Sequence, residues 1–350
     1  MKRRAAVGVL VAAAVLAACS SSPTVAGLRL PTFTSHCYRR PPIAEPAFAT
    51  VPIKIARPHS DDALVTVAVC VGSRGPFTFL VDSGLPTSVI DTSLANSLPG
   101  EQGFDNSSRC GAIDGLRYTT GVMIGPRKIE AGEVAVGNLR SFAGNLSGII
   151  GADILSRLGV VRVDYRRRTM TVGLEAAPVP PSRSGSTSPL SVPKRFRAGT
   201  VTAVPMQVGV RNLDGGLPAG LDAIDPVFVV TASVPVSLGG APHRFAVGTG
   251  TEITALNPAT AASLPGLSKV AGPYKTTGAL DCDGQATAYQ LPDWRIGTIQ
   301  IGATKVGVPK SPISVGGVDG VLGSATLQEL SPVVIDYSDG VLLLGPQAAG

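Results

Sequence analysis

The stretch Phe77-Thr-Phe-Leu-Val-Asp-Ser-Gly-Leu-Pro-Thr-Ser-Val-Ile90 decides how this chain is read. Its first half is mostly apolar and runs into Asp82-Ser83-Gly84. Its second half leaves through Thr87 and Ser88 into Val89 and Ile90. A strand that delivers an acid to a tight Gly-containing turn, followed by another strand, presents a carboxylate at the floor of a cleft. The stretch recurs as His243-Arg-Phe-Ala-Val-Gly-Thr-Gly-Thr-Glu-Ile-Thr-Ala-Leu256. There Gly248 stands where Asp82 stood, while Thr249 and Gly250 keep the places of Ser83 and Gly84.

The recurrence extends outward in the same order. Val227 to Val234 matches the strand Ala63 to Val71. Asp319-Gly-Val-Leu-Gly-Ser-Ala-Thr-Leu327 matches Ser147-Gly-Ile-Ile-Gly-Ala-Asp-Ile-Leu155, and Val333-Val-Ile-Asp-Tyr337 matches Val161-Arg-Val-Asp-Tyr165. Gly151 and Gly173 are 22 residues apart, as are Gly323 and Gly345. Two unrelated domains would not share that set, so the chain is an internal duplication.

Composition sets the class. Of 350 residues, 44% are hydrophobic and 15% charged, with 42 Gly and 29 Pro. Short Val- and Thr-rich runs between turn residues, with few helical periods, predict an all-β, bilobal protein. The high apolar content and low net charge exclude disorder. The formal charge of +6 includes Lys2, Arg3 and Arg4, which fall in a leader segment. No basic stripe is interleaved with aromatics, which are only 5%, so no nucleic-acid partner is expected. Arg166-Arg167-Arg168 reads as a solvated hairpin end.

Residues 1–18 combine a basic start with an apolar run, followed by Leu16-Ala17-Ala18-Cys19. This resembles a bacterial lipoprotein signal with its lipobox. The resemblance implies acylation of Cys19 and anchoring to the extracytoplasmic face of the cell membrane without a spanning helix. Residues 19–60 read as a tether and 61–175 as the first lobe. A Pro/Ser-rich linker follows over 176–197, and 198–348 form the second lobe.

The motifs together resemble the aspartic proteases of the pepsin and retropepsin superfamily. The resemblance rests on Phe79-Leu-Val-Asp-Ser-Gly84 for the catalytic turn, Gly148-Ile-Ile-Gly151 for the stretch beneath it, and the closing run Val160 to Val172. It implies a bilobal aspartic-protease-like β-barrel fold with a peptide-binding cleft between the lobes. It also implies cross-lobe hydroxyl hydrogen bonds that lock the two turns, a role that falls to Thr249 in the second lobe. The chemistry needs two carboxylates sharing one proton, one acting as base on water and the other as acid on the substrate. Asp82, Ser83 and Gly84 form the catalytic turn. Gly248, Thr249 and Gly250 form a degenerate second turn. Glu252 should point elsewhere. Tyr118 and Tyr289 are candidate flap aromatics, with hairpin packing as the alternative role. Asp153 reads as structural, and Tyr165 and Tyr337 as paired core or corner residues.

Three functions follow. The chain is an aspartic endopeptidase that gains its second acid from the first lobe of another copy, as a homodimer. Alternatively, it is a pseudo-protease that binds an extended peptide, protein or envelope ligand without cutting. In the third reading it is a structural lipoprotein in which Asp82 is a relic of the fold.

Beyond Cys19, the mature chain holds Cys37, Cys70, Cys110 and Cys282, which allow up to two disulfides with three pairings. Cys110–Cys282 would latch the cleft, and Cys37–Cys282 would tie the tether to the second lobe. His36, His59 and His243 lack metal-ligand spacing, so no metal and no cofactor are expected.

Overall fold

A computed structural model describes residues 29–34, 37, 48–58, 63–99, 113–119, 121–130, 132–139, 143–173, 201–212, 228–275, 285–310, 312–313 and 317–345. Cys19, Cys110 and Cys282 lie outside these residues, as does the whole of the expected linker 176–197. The described chain is mainly β, as its composition predicts, and its short helices are each six residues long. Among the described residues no helix is long and apolar enough to cross a membrane.

The duplication is present strand by strand. In the first lobe the sheet runs Leu64–Val71, Arg74–Val81, Gly148–Ile150, Val89–Asp91, Gly132–Gly137, Ile113–Thr119. In the second it runs Phe228–Leu238, Ala241–Val247, Gly320–Leu322, Ala255–Leu256, Thr304–Pro309, Gln285–Leu291. In each lobe the strand entering the turn pairs in parallel with the Gly-apolar-apolar strand, Phe79 opposite Gly148 and Phe245 opposite Gly320. Both glycines are required by close approach. A Cβ on Gly148 would lie 2.1 Å from the Phe79 ring, and one on Gly320 would lie 2.5 Å from the Phe245 ring. The repeated Gly-apolar-apolar motif is thus the slot into which each lobe's phenylalanine packs.

The lobes are joined by a shared sheet. Val160–Asp164 pairs antiparallel with Val333–Asp336, placing Val161 opposite Ile335 and Val163 opposite Val333. Hairpin partners Thr169–Gly173 and Val341–Leu344 flank this pair, and Phe48–Ala56 and Thr202–Pro205 close the two edges. Rows of β-branched residues suit such a doubly covered sheet, and both central strands are almost wholly buried. One hydrophobic cluster consequently runs through both lobes.

Two sequence expectations are corrected. The tether assigned to 19–60 contains the strand Phe48–Ala56, whose Ala49, Val51, Ile53 and Ala56 are buried. That stretch does have the two-residue period of a strand, but its small residues and Pro52 masked it. Residues 29–34 are also held against the first lobe. Asn145 Oδ1 accepts from Leu30 N at 2.9 Å, and Asn145 Nδ2 donates to Leu30 O at 2.7 Å. Leu30 is buried among Leu64, Leu80, Leu116 and Leu139.

The second correction concerns cysteine pairing. Cys37 is bonded to Cys70, which excludes Cys37–Cys282. The pairing fastens the chain just after residues 29–34 to the strand Leu64–Val71.

Candidate functional site

The two turns meet at the junction of the lobes. Each turn follows a buried strand end, Phe79-Leu80-Val81 in one lobe and Phe245-Ala246-Val247 in the other. Asp82 N donates to Ile150 O at 2.9 Å, and Gly248 N donates to Leu322 O at 3.0 Å. The Gly-apolar-apolar strand therefore supports the turn residue in both lobes.

The predicted hydroxyl lock is present. Ser83 Oγ donates to Val247 O at 2.5 Å, and Thr249 Oγ1 donates to Val81 O at 2.8 Å. Thr249 Oγ1 also accepts from Ser83 N at 3.1 Å, and Ser83 Oγ accepts from Thr249 N at 3.3 Å. Ser83 and Thr249 are buried. A buried hydroxyl satisfied as both donor and acceptor avoids the cost of a stranded polar group.

Asp82 lies above this lock. Its Oδ1 accepts from Gly84 N at 2.9 Å and, across the lobe boundary, from Gly250 N at 3.2 Å. A Cβ on Gly250 would fall 2.5 Å from Asp82 Cγ, so only glycine lets this backbone reach the carboxylate. Asp82 as a residue is half-buried. Desolvation of its carboxyl pushes its pKa above the ordinary aspartate value, opposed by the N–H groups of Gly84, Gly250 and Leu85. Among the described residues, these hydrogen bonds to Asp82 all come from backbone N–H groups.

The facing position carries no carboxylate. Gly248 Cα lies 2.9 Å from where a Cβ on Gly84 would sit, so the turns are in close contact. A Cβ on Gly248 would itself meet Val321 Cγ1 at 2.5 Å. Glu252 is buried, and its backbone carbonyl accepts from Ala325 N and Ser324 Oγ.

A supporting layer that the sequence reading did not find lies behind the turns. Ser88 Oγ accepts from Gly151 N at 2.8 Å and donates to Asp153 Oδ1 at 2.6 Å, and Ser88 N donates to the same carboxylate oxygen. In the second lobe Thr254 Oγ1 accepts from Gly323 N at 3.1 Å and lies 2.9 Å from Thr326 Oγ1. The available signal was the recurrence of a hydroxyl residue, Ser88 or Thr254, five or six residues past the turn centre. Asp153 is therefore structural in position. Burial raises its pKa, countered first by Ser88.

Tyr165 and Tyr337 occupy matching places in the shared sheet. Tyr165 N donates to Ser331 Oγ at 3.0 Å, and Tyr337 N donates to Gly159 O at 3.1 Å. Both side chains are buried. Their hydroxyls are driven above the usual tyrosine range by burial and then by the Asp82 charge. Neither hydroxyl has a hydrogen-bond partner among the described residues.

Tyr118 falls in the strand Ile113–Thr119, opposite Glu133. Tyr289 lies in Gln285–Leu291, half-buried and packed against the main core, which is the hairpin-packing role. Among the described residues no group of His, Cys, Asp or Glu is arranged to hold a metal.

No family model matches the sequence, and no curated protein matches it. Solved structures do. A retropepsin-like aspartic protease from Rickettsia conorii matches at 17% identity, covering 41% of this chain and 91% of its own, with a TM-score of 0.26. The structure of edgp matches at 10% identity, covering 87% of this chain and 96% of its own, with a TM-score of 0.45. The chain itself is a two-lobed β protein, with Asp82 in one turn and Gly248 in the other.

Proposed function

We propose that this chain is an aspartic-protease-like protein that holds an extended peptide between its lobes without cutting it, anchored by lipid on Cys19 to the extracytoplasmic face of the cell membrane. One observation carries the non-cutting part: the position facing Asp82 is Gly248, and among the described residues Asp82 hydrogen-bonds to backbone N–H groups alone. Peptide hydrolysis by this chemistry needs a base for water and an acid for the substrate together. A single carboxylate supplies one of them at a time.

The endopeptidase reading needs Asp82 of a second chain. That acid would have to approach through the face where Thr249 grips Ser83 and where Val333–Asp336 pairs with Val160–Asp164. Both contacts would have to open first, so the geometry favours the single-chain, non-cutting reading.

Ligand binding is tested by passing a mixed peptide library over the folded, immobilised chain and identifying what is retained. Intact extended peptides are expected. An eluate with no enriched peptide contradicts the ligand part. The anchor is tested by Cys19→Ala, which should move the protein from the membrane fraction to the soluble fraction.

A further inference from the structure

A cavity of about 400 Å³ opens in the first lobe, its wall built from residues other than those of the two turns. It is lined by Lys54 of the strand Phe48–Ala56, by Arg57 just after it, and by Arg166 and Arg168 from the hairpin end. Ile53, Ile55, Tyr165 and Pro31 complete it. Among the described residues, four cations and no carboxylate line this space. None of the turn residues 82–84 or 248–250 does so, nor any residue of the strands Ile113–Thr119 and Gln285–Leu291.

The chain pairing creates the cluster. Phe48–Ala56 runs antiparallel to Thr169–Gly173, and Ile53 N donates to Arg168 O at 3.0 Å, which brings the hairpin end beside Lys54. Within that end the arginines divide. Arg162 and Arg167 pair with Asp164, at 3.4 and 3.9 Å. Arg166 and Arg168 are exposed and have no carboxylate partner among the described residues. Lys54 is held by Thr32 O and by the Phe33 ring, and Arg57 is held by Gln328 Oε1. Two fixed cations thus stand beside two uncommitted guanidiniums, a set suited to phosphate oxygens.

The position relative to the N-terminus identifies the source of the phosphate. Pro31, on the cavity wall, belongs to the segment that Asn145 clamps to the lobe. Arg29 stands ten residues after Cys19. Ten residues reach at most about 35 Å when fully extended. The cavity is therefore held within reach of any bilayer that carries the Cys19 lipid.

We infer that this cavity is a docking surface for anionic phospholipid headgroups, which seats the first lobe on its own membrane with the Asp82 turn away from the lipid contact. The inference rests on the proposed lipid anchor. The acyl anchor keeps the chain at the bilayer, and a cationic patch drawn to anionic headgroups fixes which face meets it.

The test uses the chain from Cys19 onward without its acyl group, so that docking is read independently of anchoring. Flotation with phosphatidylcholine vesicles, with or without phosphatidylglycerol, is compared at low and high salt. Binding to the anionic vesicles alone, weakened by salt, is expected. Arg166→Gln with Arg168→Gln should reduce it about twentyfold, at roughly fivefold per cation. Arg295→Gln, at the one exposed position of the strand Trp294–Ile296 in the second lobe, should leave it unchanged. Equal vesicle binding by the double variant overturns the inference. So does binding of inorganic phosphate by a chain that ignores both vesicles, which would mark a site for a soluble anion. Acylation of Cys19 is read separately, by the mass of the membrane-extracted protein. Unmodified Cys19 with intact vesicle binding would remove the anchor and leave the docking surface.

Discussion

Ser83 and Thr249 each hydrogen-bond to the backbone of the opposite lobe, Ser83 Oγ to Val247 O and Thr249 Oγ1 to Val81 O. The lock is in place although Gly248 offers no carboxylate. The lock belongs to the architecture, and the paired acids belong to the chemistry.

Ser83→Ala and Thr249→Val should therefore destabilise the protein, each by about 1–3 kcal/mol, because each strands buried partners in a water-free contact. The double variant should lose less than the sum, since the two hydroxyls share one network. Thermal unfolding of the three variants measures this. Additive losses would mean that the two residues act separately.

Asp82→Asn should alter stability with a particular pH dependence. Burial raises the Asp82 pKa, so the folded chain keeps this proton to higher pH than the unfolded chain. The stability associated with Asp82 is full below the unfolded value, about 3.9. It falls as pH rises toward the folded value and then levels off. Asp153 shifts in the same direction but is common to both proteins and cancels in the difference. The variant should match the wild type at acid pH and exceed it at neutral pH. Denaturant titrations across that range decide it, and an advantage confined to acid pH would contradict the cause assigned to the shift.

Gly248→Asp should be destabilising for two separable reasons. A Cβ there meets Val321 Cγ1 at 2.5 Å, a crowding that typically costs about 1–3 kcal/mol. The new carboxylate would also face Asp82, and close like charges resist joint ionisation. Adding Val321→Ala should relieve the first effect and leave the second. The combined variant should thus be more stable in acid than at neutral pH relative to Val321→Ala alone. A pH-independent difference would show that the two acids do not meet.

Removing the Cys37–Cys70 disulfide should cost about 2–4 kcal/mol, since it closes a separation of 33 residues. It should also loosen residues 29–34, which hydrogen exchange at Leu30 would report. Unchanged protection at Leu30 would mean that the Asn145 clamp holds the segment unaided.

Local features were legible in the sequence. The strand into Asp82-Ser83-Gly84, its repeat at Gly248 and the Gly-apolar-apolar strands depend on turn chemistry and short apolar runs. The Ser83–Thr249 lock followed from the duplication and the resemblance. Features made by distant segments were not legible. Nothing near Cys37 selects Cys70, and nothing near Arg57 shows that Arg168 will lie beside it. Both depend on how Phe48–Ala56 is sandwiched between Thr169–Gly173 and Leu64–Val71. The Ser88–Asp153 tie was hidden for the same reason, its two halves being 65 residues apart.

In the proposed function, a peptide held beside Asp82 and Gly248 stays uncut. The most direct measurement incubates the folded chain, from Cys19 onward, with a diverse peptide mixture from about pH 3 to 8, alongside Asp82→Asn, and reads the products by mass spectrometry. The account predicts no new termini at any pH from either protein. New termini that appear with the native chain and vanish with Asp82→Asn would contradict it, because Asp82 would then have found a second acid.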